Sequence, residues 1–303
     1  RDKSWQRRVL SEAGLPAPAF RVATSAAEAV DAAREIGAPV VVKPVAGSGS
    51  VGVRACADAA EAGAHAAALL AEAEAAGEAA RVLVEALVDG PEYSVEVFSG
   101  RVVGITRKHL GAPPAFVEAG HDYPAAAPAG VAQALEDTVV RATALLGLGW
   151  GPLHWELRMR GAEAVAIEVN PRLAGGFIPE LVRHAQGIDL IRETLRLVTG
   201  QTPELEPVRG RHASIRFLFS PGEGPLAVVE GLDGARGLPG VVDATLYRAP
   251  GDVLAVRGDF RDRIGHVIAC ADGFGEACEA AERARDAVRV VVGEPAGAAQ
   301  GGG

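Results

Sequence analysis

The segment from 152 to 172 constrains the fold of this 303-residue chain more than any other stretch. Its pattern predicts two short strands joined by a turn at Arg160-Gly161-Ala162. Side chains along a strand alternate between the two faces of a sheet, so Ala166, Glu168 and Asn170 are expected on one face of the second strand.

Two carboxylates of this hairpin are expected to face the same way, because Glu156 lies near the middle of the first strand and Glu168 lies on the second. Carboxylates 4 Å apart repel by roughly 1 kcal/mol in water and roughly 4 kcal/mol at an effective dielectric of 20. A half-buried sheet would not keep that pair without a cation. Hard oxygen ligands suit Mg²⁺ or Mn²⁺. The alternative is a hairpin with two solvated glutamates on its outer face.

Composition and charge exclude several classes of protein. The chain is 49% hydrophobic and 23% charged, which is typical of a globular protein. A net charge of −9 argues against nucleic acid or an anionic membrane as the main partner. Three cysteines, Cys56, Cys270 and Cys278, show no metal-ligand spacing, which suits a reducing compartment. A cytoplasmic location is therefore expected.

A glycine-rich segment follows a tight apolar strand that ends in Lys43. Its residues are Gly47, Ser48, Gly49, Ser50 and Gly52. A dinucleotide-binding fold would need an acidic residue at the end of a second strand about 20 residues on. That position is Glu72, inside an alanine-rich helical pattern, so this fold is not supported. Backbone N–H groups beside a lysine suit a polyphosphate; a plain Gly/Ser hairpin turn is the alternative.

Residues 108–130 have no clear period and contain several prolines. They are predicted to form one long irregular segment, and its proline-rich part, 108–124, is the candidate lid of a binding site. Loops of this length in compact domains are often lids or binding loops.

The order of these pieces resembles the ATP-grasp superfamily of carboxylate–amine ligases. The most specific stretch runs from Glu168 through Asn170 and Arg172 to Gly176, with an acid twelve residues before it. The stretches 43–53 and 116–124 resemble the L-amino acid ligase, or dipeptide synthetase, branch. The resemblance implies an α/β (α+β) fold in which two lobes sandwich ATP, with a smaller, β-rich C-terminal region.

The implied organisation has four parts. An N-terminal lobe at 1–84 precedes a C-terminal lobe at 85–207, a C-terminal subdomain at 208–293 and a disordered tail at 294–303. The chain opens on Arg1 and a helical pattern begins at once. An N-terminal pre-ATP-grasp domain is therefore expected to be missing or truncated, or to be a separate or fused unit.

The resemblance also implies roles for individual residues. The nucleotide-binding positions are Lys3, Lys43, Gly47, Ser48, Gly49, Ser50, Gly52, Glu85, Ala86, Val88 and Glu92. Within this set the lysines match those that hold phosphates, the glycine loop folds over them, and Glu92 lies where the ribose hydroxyls are held. The catalytic positions are Lys43, Arg172, which matches the arginine over the transferred phosphoryl group, and Arg216, which resembles a second active-site arginine.

The metal positions are Glu156, Glu168 and Asn170, and a substrate loop is expected to bring Lys108 and His121 to the substrate pocket. The implied cofactors are ATP and Mg²⁺ (or Mn²⁺). The implied reaction activates a carboxylate, in particular that of an amino acid, as an acyl phosphate. An amine then attacks it to form an amide or peptide bond, with release of ADP and phosphate.

The expected partners are a small-molecule carboxylate and an amine, and a homodimer is a further expectation. The alternatives are an ATP-grasp carboxylase or purine-type ligase, similar to biotin carboxylase, and a nucleotide-binding subunit without catalysis. The intact set of two acids, asparagine and arginine speaks against the last.

Overall fold

The structure is a computed structural model that describes residues 2–293. The tail predicted at 294–303 lies outside the described residues. The helices are α1 (Lys3–Glu12), α2 (Ala26–Ile36), α3 (Ala59–Ala75), α4 (Ala129–Leu145), α5 (Ile178–Gln186), α6 (Leu190–Val198), α7 (Leu232–Arg236) and α8 (Phe274–Asp286). None of the helices within 2–293 is both long and apolar enough to cross a membrane.

The strands form three sheets. They are β1 (Phe20–Ala23), β2 (Val40–Pro44), β3 (Arg54–Cys56), β4 (Val82–Ala86), β5 (Glu92–Phe98), β6 (Arg101–Leu110), β7 (Glu118–Tyr123), β8 (Pro152–Arg160), β9 (Glu163–Asn170), β10 (His212–Phe219), β11 (Gly224–Glu230), β12 (Val241–Leu246), β13 (Val253–Leu254), β14 (Arg263–Ala271) and β15 (Arg289–Val292). The smallest sheet has the order β13-β11-β15.

A four-stranded antiparallel sheet has the order β1-β4-β2-β3. The helices α2 and α3 pack on it, and each begins at a side-chain cap, Ser25 for α2 and Asp58 for α3. The sequences Ser25-Ala-Ala-Glu28 and Asp58-Ala-Ala-Glu61 predict these caps. Since β4 pairs with β1 and β2 along its length, the boundary expected at 84/85 falls inside a strand of this sheet.

An eight-stranded sheet with the order β12-β14-β10-β7-β6-β5-β8-β9 forms the centre of the molecule. We call the face that bears Glu156 the front face and the opposite one the back face. The apolar sides of α4 and α8 pack against the back face. Strands from both sides of the boundary expected at 207/208 belong to this one sheet. The expected mixed α/β architecture is confirmed, with antiparallel pairing throughout the central sheet.

The prediction of one long irregular segment at 108–130 is wrong. About half of it lies in β6, β7 and the start of α4, and the irregular residues form two short connections, 111–117 and 124–128. The reason is that the prolines fall inside these connections and not in the strands. The connection 111–117 reaches the four-stranded sheet, where Ala55 N–H donates to the Pro114 carbonyl at 3.0 Å.

The first helix joins the two larger sheets. Lys3 N–H donates to the Val45 carbonyl, just beyond β2, at 3.0 Å. The Gln6 side chain makes two hydrogen bonds to the backbone of Val169 on β9, at 2.9 and 3.1 Å. This docking fixes the side chain of Lys3 between the glycine loop and β9.

Candidate active site

A cleft between the four-stranded sheet and the front face of the central sheet encloses about 920 Å³ of empty space, open solvent included. It collects most of the residues that the sequence predicts for the site. Those lining it are Lys3, Lys43, Gly47, Ser48, Gly49, Ser50, Glu85, Ala86, Val88, Glu92, Lys108, Glu156, Glu168, Asn170 and Arg172. Gly52, His121 and Arg216 are not in its lining.

The two glutamates of the hairpin are direct partners: β8 pairs with β9 so that Glu156 lies opposite Glu168. A bulge follows this pair, because the next partners are Leu157 and Ala166. A bulge re-aims the side chains that follow it. The expectation that Ala166 shares a face with Glu168 is therefore wrong: Ala166 is fully buried in the core of the back face, and Ile167 lines the cleft instead.

Each of these carboxylates contacts a cation of the chain. Glu168 lies 3.3 Å from Lys3 Nζ. Glu156 lies 3.3 Å from Lys108 Nζ and 3.2 Å from His154 Nε2. Burial alone would raise the pKa of Glu156, but Lys108 and His154 hold it well below its usual range. Burial alone would lower the pKa of His154, yet the carboxylates of Glu96 and Glu156 raise it to about 10.

Lys108 forms the centre of the deep end of the cleft. Its Nζ lies 2.7 Å from Glu92, 2.8 Å from Glu118 and 3.3 Å from Glu156. Burial alone would lower the pKa of Lys108, but the three carboxylates raise it well above its usual value. The residue lies in β6 and not on a loop. The expected position in the cleft is therefore observed, and the expected substrate loop is not.

Lys43 is bound by an acid from the neighbouring strand. Its Nζ lies 2.6 Å from Glu85, whose other oxygen contacts Arg7. Burial lowers the pKa of Lys43 and Glu85 opposes that change. For Glu85, burial would raise the pKa, but Arg7 and Lys43 lower it. The pairing satisfies the requirement that a lysine at the end of a buried strand has a partner.

The glycine loop lines the cleft. The carbonyl of Gly47 accepts a hydrogen bond from Lys3 Nζ at 2.9 Å, which ties the loop to the residue that contacts Glu168. Gly49 has a φ of +69°, and a Cβ there would lie 2.5 Å from the ring of Phe260. Glycine is thus required at this position by both backbone and space.

Arg172 and Asn170 complete the front of the cleft. Arg172 is exposed, and its Nη1 donates to the Leu173 carbonyl at 2.8 Å. Asn170 is 9% exposed and pairs in register with His154. The guanidinium of Arg172 is therefore accessible from the cleft, while the backbone of Asn170 is held in the sheet by its pairing with β8.

His121 lies on β7, on the front face next to Lys108 but outside the cleft lining, and is fully buried. Its Nε2 lies 3.7 Å from Glu118, and its ring packs edge-on against Phe217 at 5.7 Å. Burial lowers its pKa to about 3, so the ring is neutral at pH 7. A Cβ at Gly176 would lie 2.5 Å from Nε2. The prediction that a loop presents His121 to the substrate is not supported by this position.

Arg216 is not brought to the cleft. Its Nη1 donates to Asp122 at 2.7 Å. Because consecutive strand residues point to opposite faces, Asp122 lies on the back face while His121 lies on the front. This position does not support the prediction of a second active-site arginine at 216, since strand register, which sequence alone does not give, turns the residue away from the cleft.

Sequence reasoning missed two charged residues of the cleft, Glu118 and Arg158. Arg158 Nε donates to Glu92 at 2.8 Å, and its guanidinium lies over the ring of Phe116. It follows Glu156 by two positions on the same strand, so the period of two would have placed it on the same face. The sequence gives no such signal for Glu118, because its pattern predicts a loop where the structure has β7. Burial would raise its pKa, but Lys108, His121 and Arg263 hold it well below its usual range.

The charges of the cleft bear on whether a divalent metal fits. Five basic side chains and five glutamates line it, so a polyphosphate would bring unbalanced negative charge unless a cation came with it. Within 2–293 no group of three or more His, Cys, Asp or Glu is arranged to hold a metal. Glu156, Glu168 and Asn170 supply three hard oxygen donors, and Mg²⁺ typically uses one or two carboxylates plus substrate phosphates. This donor set fits such an ion.

Comparison with known families agrees with this geometry. The profile of the ATP-grasp domain matches residues 36–180, and that of L-amino acid ligase C-terminal domain 2 matches residues 216–293. The chain thus contains an ATP-grasp domain, followed by a region similar to L-amino acid ligase C-terminal domain 2. The crystal structure of an L-amino acid ligase from Bacillus licheniformis has the same fold, with a TM-score of 0.84, 23% identity, and coverage of 97% of this chain and 74% of that one.

Curated relatives of this ATP-grasp chain are longer than it. An uncharacterized protein of Sinorhizobium fredii, y4rH, is 42% identical over 287 residues, which are 95% of this chain and 60% of that protein. Carnosine synthase 1 of Gallus gallus is 30% identical over 180 residues, which are 55% of this chain and 19% of that protein. The chain thus spans less than two thirds of the length of either relative.

Proposed function

We propose that the protein is an ADP-forming ligase that joins the carboxylate of an amino acid to an amine. The observation that carries the proposal is the pairing of Glu156 with Glu168 in a cleft that also contains Lys3, Lys43 and Arg172. The ATP-grasp domain and the match to an L-amino acid ligase C-terminal domain support the substrate class.

The nucleotide would lie between the glycine loop and the strand end at Glu85. In this proposal Lys3 and Lys43 meet the phosphates, since both ammonium groups line the cleft next to the loop. The backbone of Ala86 to Val88 would contact the base, and Glu92 the ribose. The lysines are already bound to Glu168 and Glu85. Nucleotide binding would therefore exchange existing ion pairs for contacts to phosphate oxygens.

Glu156, Glu168 and Asn170 would hold Mg²⁺. When bound, the ion supplies positive charge next to the phosphoryl oxygens, where it also balances the glutamates. Lys3 and Lys108, which contact these two glutamates in the structure, would then be released toward the nucleotide and the substrate. The ion would thus offset part of the negative charge that the nucleotide brings.

The reaction proceeds in two steps in this proposal. A carboxylate oxygen of the acid forms a bond to the γ-phosphorus while the bond to the β-phosphate oxygen breaks and ADP leaves. Arg172, which is exposed at the front of the cleft, would stabilise the charge of the transferred phosphoryl group. The amine nitrogen then bonds to the carbonyl carbon, the carbon–oxygen bond to phosphate breaks, and the departing phosphate takes the proton from nitrogen.

The deep end of the cleft would hold the substrates. Lys108 and Arg158 are cations held by Glu92, Glu118 and Glu156. A substrate carboxylate can bind the cations, and a substrate ammonium can bind Glu118. The similarity to carnosine synthase and to an L-amino acid ligase supports amino acids as the class to test first.

Phosphate release from Mg-ATP, measured against a matrix of paired amino acids with product masses, tests the proposal. Release that requires two amino acids and yields the mass of an amide supports it. The Lys43→Met variant serves as the blank. Phosphate release that requires bicarbonate and not an amine would reject the ligase in favour of a carboxylase. Turnover that persists in Lys43→Met would reject the cleft as its site.

A further inference from the structure

The back face of the central sheet contains a second cavity, which the proposed reaction does not use. It lies between α8 and the connection 124–128, and it encloses about 680 Å³ of empty space, open solvent included. Arg107 and Asp122 line it from the sheet, and Phe274 and Cys278 line it from α8. Arg107 is next to Lys108 in β6, so the two side chains lie on opposite faces and the sheet separates this cavity from the cleft.

Arg107 lines this cavity and has no ion-pair partner within 2–293. Its guanidinium lies over the ring of Tyr93, 4.9 Å from the ring centre. Its Nη1 atom is shielded from solvent and has no hydrogen-bond partner within 2–293. A buried charged donor without an acceptor is costly, and such groups are uncommon in native proteins. An oxyanion in the cavity would supply the charge partner that the partly exposed Arg107 side chain lacks.

The acid of the cavity cannot fill this role, because its oxygens are already occupied. Asp122 accepts hydrogen bonds from Arg216 Nη1 at 2.7 Å and from Ser214 Oγ. Its second oxygen lies 2.5 Å from His109 Nε2. Both oxygens of Asp122 are therefore already engaged by His109, Ser214 and Arg216. Glu282, the other acid at the cavity, is exposed at the rim and contacts Arg216 at 3.3 Å.

The apolar walls of the cavity restrict what could bind. Tyr93 lines the floor and Phe274 one side. We propose that this cavity is a second ligand site, which binds a small molecule with a flat apolar body and one oxyanion, the oxyanion accepting a hydrogen bond from Arg107. Carboxylate and phosphate share the chemistry that a guanidinium recognises. This site is independent of the ligase reaction.

Isothermal titration calorimetry with three probes tests the site: 3-phenylpropionate, phenyl phosphate and the neutral 3-phenyl-1-propanol. A Mg-ATP analogue that is not hydrolysed is present throughout. Saturable binding of an anionic probe, with no binding of the alcohol, is the expected result, and the tighter of the two anions names the head group. Equal binding of the alcohol, or no saturation by either anion up to the order of 10 mM, would overturn the proposal.

Two variants place the binding in this cavity. Arg107→Met is expected to weaken binding by about tenfold or more. Arg101→Met, an exposed position on the same strand, is its matched control and should bind as the wild type does. Ala126→Trp, at an exposed position of the cavity rim, should block entry without burying new surface in the core. Its test stands even if Arg107→Met does not fold. Unchanged affinity in Ala126→Trp would contradict the assignment.

Discussion

The ammonium of Lys108 lies 2.8 Å from a carboxylate oxygen of Glu118, and both residues are on neighbouring strands of the central sheet. The same ammonium contacts Glu92 and Glu156. One buried cation thus holds three carboxylates together. This arrangement makes the deep end of the cleft sensitive to the loss of a single positive charge.

Replacement of Lys108 by Met is expected to reduce the free energy of unfolding by roughly 3–5 kcal/mol, because carboxylates are left buried without their cation. Denaturant unfolding measures the change. Arg101→Met is the control on the same strand: its ion pair with Glu206 is exposed, so a loss below about 1 kcal/mol is expected. Adding Glu118→Gln to Lys108→Met should recover part of the loss. No recovery would show that charge is not the cause.

His154 gives a dependence on pH that can be measured directly. Its pKa of about 10 in the folded protein lies above the unfolded value near 6.5. The stabilisation from its contacts with Glu96 and Glu156 is therefore complete below about pH 6.5 and is lost as the pH rises through about 10. The difference in unfolding free energy between wild type and His154→Asn should shrink over this range. NMR titration of the imidazole checks the pKa, and a midpoint near 6.5 would contradict it.

Gly175 and Gly176 are adjacent in the sequence but differ in the space available for a side chain. A Cβ at Gly176, where φ is +59°, would lie 2.5 Å from the buried ring of His121, whereas one at Gly175 would meet nothing within 4 Å. Gly176→Ala is expected to cost about 1–3 kcal/mol of unfolding free energy, and Gly175→Ala less than about 0.5 kcal/mol. Thermal and denaturant unfolding of the pair measures this. Equal losses in both variants would mean that His121 does not restrict the position.

Arg172 is expected to affect turnover and not stability. It is exposed, and its loss should change the unfolding free energy by less than about 0.5 kcal/mol. If it stabilises the transferred phosphoryl group, Arg172→Met lowers kcat by roughly 100- to 1,000-fold. Arg160→Met, at the turn end of the same hairpin, is the control and should retain kcat. Partial recovery in Arg172→Lys would support a role for the charge, while an unchanged kcat in Arg172→Met would exclude that role.

The sequence could predict the parts of the site that depend on local pattern. The hairpin turn at Gly161 and the facing of Glu156 and Glu168 follow from alternation along two short strands, and the structure has both. The position of Lys43 follows from an apolar strand that ends beside a glycine loop. The resemblance to the ATP-grasp family, carried by the Glu168 to Gly176 stretch, supplied the order of the lobes.

Pairing between distant strands accounts for what the sequence could not predict. The bulge after Glu156 moved Ala166 to the core, and no local signal marks a bulge. Arg216 faces the back because of the register of β10 against β7, a long-range property. The sequence predicts a loop at Glu118 and His121, because prolines lie on either side of β7, a strand of only six residues.

The affinity for ATP, measured by calorimetry with and without Mg²⁺, tests the central claim most directly. Glu168→Gln removes one of the facing carboxylates, and Glu163→Gln, an exposed position on the same strand, is the matched control. The wild type and Glu163→Gln are expected to bind ATP more tightly with Mg²⁺, and Glu168→Gln is expected to lose most of this gain. A gain of the same size in all three proteins would contradict the assignment of the paired glutamates as the metal site.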